Sequence, residues 1–170
     1  GVVYGSDGER VKLPNQPRIE VLKELIAESE GKVLVFVPLT GVLEDVVEQL
    51  SKDWTVRAVH GGTSKNERDV TYRDFQETPD PRVLVANPAT MSHGLTLTAA
   101  TTIIWYAPIH SNDIYVQANA RVRRPGQTRT TVIAHIDASE IERRSYKRLQ
   151  KREKLQGVLL DIMRGISEDE

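Results

Sequence analysis

A chain of 170 residues is long enough to bury a core and short enough to be one domain, or one lobe of a larger machine. Its 23 Lys and Arg against 24 Asp and Glu give a formal net charge of −1, which excludes a uniformly basic nucleic-acid coat and makes any contact with phosphate local. Cysteine is absent, so neither a disulfide framework nor a thiolate zinc site can form, in keeping with a reducing compartment. The histidines His60, His93, His110 and His135 stand too far apart for an i, i+4 ligand pair, and no metal site built from protein ligands alone is expected. The longest apolar run, Val33 to Leu39, falls far short of the roughly 20 residues that span a bilayer, so no membrane contact is expected. The N-terminus lacks the basic-then-apolar layout of a secretory signal and opens on Gly1 inside a strand-like pattern, which reads as a fragment of a longer polypeptide.

In chain order, residues 1–17 read as an irregular lead-in, rich in Gly, Pro and polar groups. A helix is predicted over Arg18–Ser29, where Ile19, Leu22 and Ile26 recur at helical spacing. Val33–Val37 is a continuous apolar run, as a strand covered on both faces requires. Gly41–Ser51 carries a second helical stripe, and Val56–Val59 reads as a strand. His60-Gly61-Gly62-Thr63 is a turn, after which Ser64 and Glu67 form a capping box opening a helix to about Gln76. Thr78-Pro79-Asp80-Pro81 breaks the chain. Strands are predicted at Arg82–Ala86, Thr102–Tyr106 and Thr131–Ile136, with a helix at Asn112–Val122 between the last two. Ser139 and Glu142 suggest another capping box, starting a charged helix to about Lys154 that has seven Lys or Arg against three Glu, a solvated face or a non-specific DNA contact. Leu155, Val158, Leu159, Ile162 and Ile166 then make the apolar stripe of a final helix, suited to core packing, to another lobe or to a second copy, before the acidic end of the 155–170 tail. Alternating strands and helices imply parallel strands, right-handed crossovers and a three-layer α/β sandwich over residues 18–154.

In such sheets, chemistry is sought beyond the carboxyl ends of the strands. No GxxxxGK[ST] phosphate loop is present: Gly31-Lys32 lacks the preceding glycine and comes before a strand instead of after one. The first four core strands do not run into an acid of the kind that holds magnesium, and Asp137 after the fifth stands alone, so a self-sufficient NTPase is not expected. The densest signal is Gln117-Ala118-Asn119-Ala120-Arg121-Val122-Arg123-Arg124-Pro125-Gly126-Gln127. A solvated basic helix end accounts for the charge. Spacing adds more: Gln117, Arg121 and Arg124 fall on one helical face, and two guanidinium forks followed by Pro-Gly make a clamp for a polyanion.

QANARVRRPGQ resembles motif VI of superfamily 2 helicases in its Snf2-like form, with Ala120 where Gly is common and Arg123 where many members have His. Val33–Thr40 resembles motif IV, His60–Thr63 through Arg68 and Phe75 the next block, and Asn87–Ala100 motif V; His93-Gly94-Leu95-Thr96-Leu97-Thr98 is close to a GLNLT core, with Thr96 replacing Asn. The resemblance runs from about Val3 to Asp137 and implies the C-terminal RecA-like lobe of a Snf2-like ATPase, of bacterial or phage type given its compactness, and so in the cytoplasm of such a cell.

By that resemblance Arg124 is the arginine finger for ATP and Arg121 its companion, Gln117 helps position phosphate or water, and Gly94 with Leu95 forms a turn near the nucleotide. ATP and Mg2+ would be held mainly by the N-terminal RecA-like lobe of the same protein, and the isolated lobe would be inactive. Contacts to duplex DNA, sequence-neutral because they touch phosphate, would come from Thr40, Gly62, Thr63, Thr90, Ser92 and His93. Other accounts weigh against these: Thr63 and Ser64 suit helix capping, His93 a buried hydrogen bond, His60 a structural role, and Arg68 a salt bridge. The rival functions are a lobe of an RNA or single-strand DNA helicase, and a small-molecule enzyme or interaction module on a flavodoxin-like sheet. The latter wants a nucleophile beside a base, or GxGxxG, and neither is present.

Overall fold

Alternation in burial divides the apolar residues between two faces of one sheet. The computed structural model describes residues 2–4, 10–12, 15–92 and 96–168, with side chains for 15–91 and 96–160. Two short strands, β1 (Val2–Tyr4) and β2 (Arg10–Lys12), pair antiparallel, so part of the expected irregular lead-in is a β-ribbon. Helix α1 (Gln16–Glu28) opens with Pro17 in its first turn, where a missing N–H costs nothing, and thereby begins inside the predicted lead-in.

Next comes β3 (Lys32–Phe36), whose Leu34 and Phe36 face one side while Val33 and Val35 face the other, each fully buried. Burial on both faces makes it the centre of the sheet. Helix α2 (Thr40–Leu50), β4 (Val56–Val59), α3 (Lys65–Glu77), β5 (Val83–Ala86), a 3-10 turn (Pro88–Ser92), β6 (Ala100–Trp105), α4 (Asn112–Ala120), β7 (Val132–His135) and α5 (Glu140–Glu168) complete the chain. All five sheet strands are parallel in the order β4-β5-β3-β6-β7.

Ile19, Leu22 and Ile26 of α1 and Leu43, Val46 and Leu50 of α2 cover the face bearing Val33 and Val35. Tyr72 and Phe75 of α3, Tyr115 and Ala118 of α4, and Tyr146 and Leu149 of α5 cover the other. This is the three-layer α/β sandwich expected from the pattern. Serines set three helix starts: Ser64, Ser111 and Ser139 accept hydrogen bonds from the N–H of Glu67, Ile114 and Glu142. The Glu142 carboxylate reaches back to the Ala138 N–H at 2.7 Å and also pairs with Arg18, tying α5 to α1.

Three boundaries differ from expectation. Strand β6 starts at Ala100, before Thr102; α4 stops at Ala120, before Val122; and the two expected C-terminal helices are one helix of 29 residues. No Gly or Pro stands between Lys154 and Leu155, so the change from charged to apolar composition does not break the backbone. Leu155, Val158 and Leu159 are 54%, 55% and 61% exposed, and core packing is therefore not their role within this chain. Among the described residues, no helix is long and apolar enough to cross a membrane.

Candidate functional site

Helix α4 leaves the carboxyl end of β6 and runs antiparallel to the strands, so the segment after it must return to their amino ends to start β7. Arg121 through Gln127 occupy that return. The Arg121 guanidinium is buried, 8% exposed, and its Nε donates to the Met91 carbonyl at 2.9 Å. Its own carbonyl accepts from Leu97 N–H at 2.9 Å. Arg121 thus grips both flanks of the 92–96 segment. Arg124 is half-buried in the turn beyond the helix, with Nη1 3.3 Å from the Thr96 hydroxyl. Gly126, at φ 100°, lets the chain reverse where a side chain would strain it, and the Gln127 N–H closes the turn on the Arg124 carbonyl at 3.0 Å.

Burial, and after it the like charge of Arg124, pulls the Arg121 guanidinium below its ordinary value. Guanidinium remains charged in proteins, so two cations stand close enough to repel, and an anion laid against them relieves that cost. This convergence is what the motif promised. The route to it differs, because the expected shared helical face is not formed: Gln117 is exposed on α4, Arg121 is the inward-turned cap residue, and Arg124 lies past the helix. The helix ends early because the N–H groups of Val122 and Arg123 both turn to the Asn119 carbonyl while Leu97 takes the Arg121 carbonyl.

At the carboxyl edge the candidates are more dispersed. Thr40 is exposed as the first residue of α2, whose N-terminus receives no side-chain cap. Gly62 is exposed and its N–H donates to His60 Nδ1 at 3.1 Å, while the Thr63 hydroxyl accepts from the His60 N–H at 3.0 Å, so both brace the turn after β4. The structural account of His60 therefore holds. Arg68 forms no ion pair among the described residues, contrary to the salt bridge considered for it. Thr90 needs correction: it is 9% exposed and its hydroxyl donates to the Asn87 carbonyl at 2.6 Å, so the side chain points inward, away from a bound backbone. His93, Gly94 and Leu95 lie outside the described residues, as does the side chain of Ser92.

Residues 87–99 join the two edges. They start beside β4, where Asn87 N–H donates to the Val59 carbonyl, and end at the foot of α3, where Gln76 bonds the Thr98 hydroxyl at 3.0 Å and the Ala99 N–H at 3.1 Å. Sequence reasoning did not single out Gln76, nor Asn119, whose Oδ1 accepts from the buried Trp105 Nε1 at 3.0 Å. It also missed His135, hydrogen-bonded to Tyr115 at 2.8 Å and held by burial at about 4. Helical register gave a signal for Asn119, a polar residue beside the buried Ala118.

Comparisons with known proteins bear on this geometry. The helicase conserved C-terminal domain matches residues 17–126, and the chain belongs to that family. Within it, similarity points to the Snf2 kind of superfamily 2 ATPase. The chain is 34% identical over 143 residues to the chromatin-remodeling ATPase INO80 of Emericella nidulans, covering 83% of this chain and 9% of the relative. The chain therefore spans about a tenth of that relative's length. The C-terminal part of the Fun30 ATPase domain superposes with a TM-score of 0.70 at 26% identity, covering 76% of this chain and 44% of that one. The Sulfolobus solfataricus SWI2/SNF2 ATPase core in complex with dsDNA gives 0.58 at 25%, covering 75% and 27%. INO80 relatives matched here are eukaryotic, which gives no support to a bacterial or phage type or to the cytoplasm of such a cell.

Proposed function

We propose that this lobe is the second half of an ATP-driven motor on duplex DNA, lending Arg124 to a triphosphate bound by an N-terminal RecA-like lobe of the same protein. The observation that carries this is the pairing of Arg121 and Arg124 at the amino edge, one buried and gripping the motif V segment, the other half-buried in the adjoining turn. As charge builds on the transferred phosphoryl, a guanidinium fork placed at its equatorial oxygens lowers the barrier without touching the leaving group. Arg121 acts in this reading by holding the Met91–Leu97 segment and adding field, and Gln117, exposed on α4, orders water or phosphate at the rim.

Magnesium is assigned to the first lobe, because among the described residues no group of three or more His, Asp or Glu could hold a metal ion. DNA meets the carboxyl edge at Thr40, Gly62 and Thr63, through hydroxyl and backbone N–H groups that read phosphate and not bases, so binding is sequence-neutral. Names of the relatives, a chromatin-remodeling ATPase and an ATPase core on dsDNA, support duplex DNA as the track. Residues 87–99, spanning the two edges, supply a physical link from grip to hydrolysis.

The test is ATP hydrolysis by the full-length protein carrying Arg124→Ala. Loss of about 10³-fold or more in kcat, with DNA affinity unchanged, is the expected outcome. A kcat within tenfold of wild type refutes the assignment.

A further inference from the structure

Gln127 closes the motif but has no part in the scheme above. Its side chain saturates three backbone groups: Nε2 donates to the carbonyls of Thr98 and Ala100, both at 3.0 Å, and Oε1 accepts from the Arg129 N–H at 3.1 Å. Its own N–H bonds the Arg124 carbonyl at 3.0 Å. Ala100 begins β6, fully buried and registered against Lys32 of the central strand, so it is a fixed point of the sheet. Gln127 therefore bolts the turn carrying Arg124 to the rigid floor of the lobe, on the side opposite the Thr96 contact.

We propose that Gln127 is a positioning residue for Arg124, setting the height of the guanidinium above the sheet edge through its bonds to Thr98, Ala100 and Arg129. The inference rests on the reading of Arg124 as the arginine finger. A displacement on the order of 1 Å at a reacting centre can cost roughly 100-fold in rate, whereas binding of ATP by the other lobe does not require the finger to be in register. Loss of Gln127 therefore lowers kcat and leaves the KM for ATP in place. Glutamate at this position keeps the size but turns the amide donors into an acceptor facing two carbonyls. Gly126 offers an independent route, since a Cβ there meets nothing within 4 Å yet the φ of +100° is unsuited to alanine, so the turn is strained with no steric clash.

The experiment measures steady-state ATP hydrolysis, DNA affinity and melting temperature of the full-length protein as wild type, Gln127→Glu, Gly126→Ala and Arg124→Ala. Expected for the first two variants is a fall in kcat of about 10- to 100-fold, with KM for ATP and DNA affinity within twofold of wild type. Wild-type kcat in Gln127→Glu overturns the proposal. So does a loss of kcat that only tracks a falling folded fraction, with KM and DNA affinity deteriorating alongside. Should Gln127→Glu not fold, an unchanged kcat in Gly126→Ala overturns it equally. Retained hydrolysis in Arg124→Ala instead removes the reading on which it rests, while an inactive Arg124→Ala beside a fully active Gln127→Glu removes this inference alone.

Discussion

The two edges of the sheet use polar groups differently. At the carboxyl edge, hydroxyls and amides are spread over several loops and mostly spent on local turns: Thr63 on His60, Thr90 on Asn87, Ser64 on the first turn of α3. At the amino edge, Arg121, Arg124 and Gln127 come from one short segment and converge on residues 91–100 of another. Diffuse, shallow contacts suit a track that must be gripped and released anywhere along its length. Convergent, braced cations suit a reaction whose geometry has to be repeated at every turnover.

That contrast can be broken in several ways. The largest effect on stability is expected from Arg121→Ala, which strands the Met91 carbonyl in the core; removing a buried charged donor costs about 2–3 kcal/mol, read by urea unfolding. If the chain is instead unaffected, the amino edge is not braced as described. Acid sharpens the picture next. His135 sits between Tyr115 and Tyr146, and its pKa of about 4 lies below the ordinary 6.5, so the folded state favours the neutral ring. Stability from this site is fully present above pH 6.5 and declines as pH falls from there toward 4, because the unfolded chain takes up the proton first. Unfolding midpoints across that window should flatten in His135→Phe, whereas an unchanged pH profile would show that the ring is not buried neutral. The smallest effect is expected at the carboxyl edge: Thr40→Val should weaken DNA binding only about two- to fivefold, leaving kcat at saturating DNA unaltered, since one neutral hydrogen bond contributes about 0.5–1.5 kcal/mol and is partly replaced by water.

Local physics made much of the fold legible. The unbroken Val33–Val37 run is buried on both faces, and the serines at 64 and 139 cap as their spacing indicated. Less legible was whatever depended on distant chain. The end of α4 is set by Leu97 and Met91, which lie 24 and 30 positions before Arg121, so helical spacing alone placed Gln117, Arg121 and Arg124 on one face. The rule that ligands gather beyond strand carboxyl ends also pointed to the wrong side for the arginines, which follow a helix running back past the strands. The motif itself was readable because its residues act together whichever edge they occupy; Gln127 was readable as a letter in that motif, but its work became visible only with the carbonyls of Thr98 and Ala100 in place.

Whether Arg124 offers a planar fork to a transferring phosphoryl, beyond supplying one positive charge near it, is decided by Arg124→Lys in the full-length protein under saturating ATP and DNA. Lysine retains the charge but not the paired donors, so the fork account predicts a kcat loss of about 100-fold or more with the KM for ATP little changed. A lysine variant that hydrolyses ATP at the wild-type rate would contradict it.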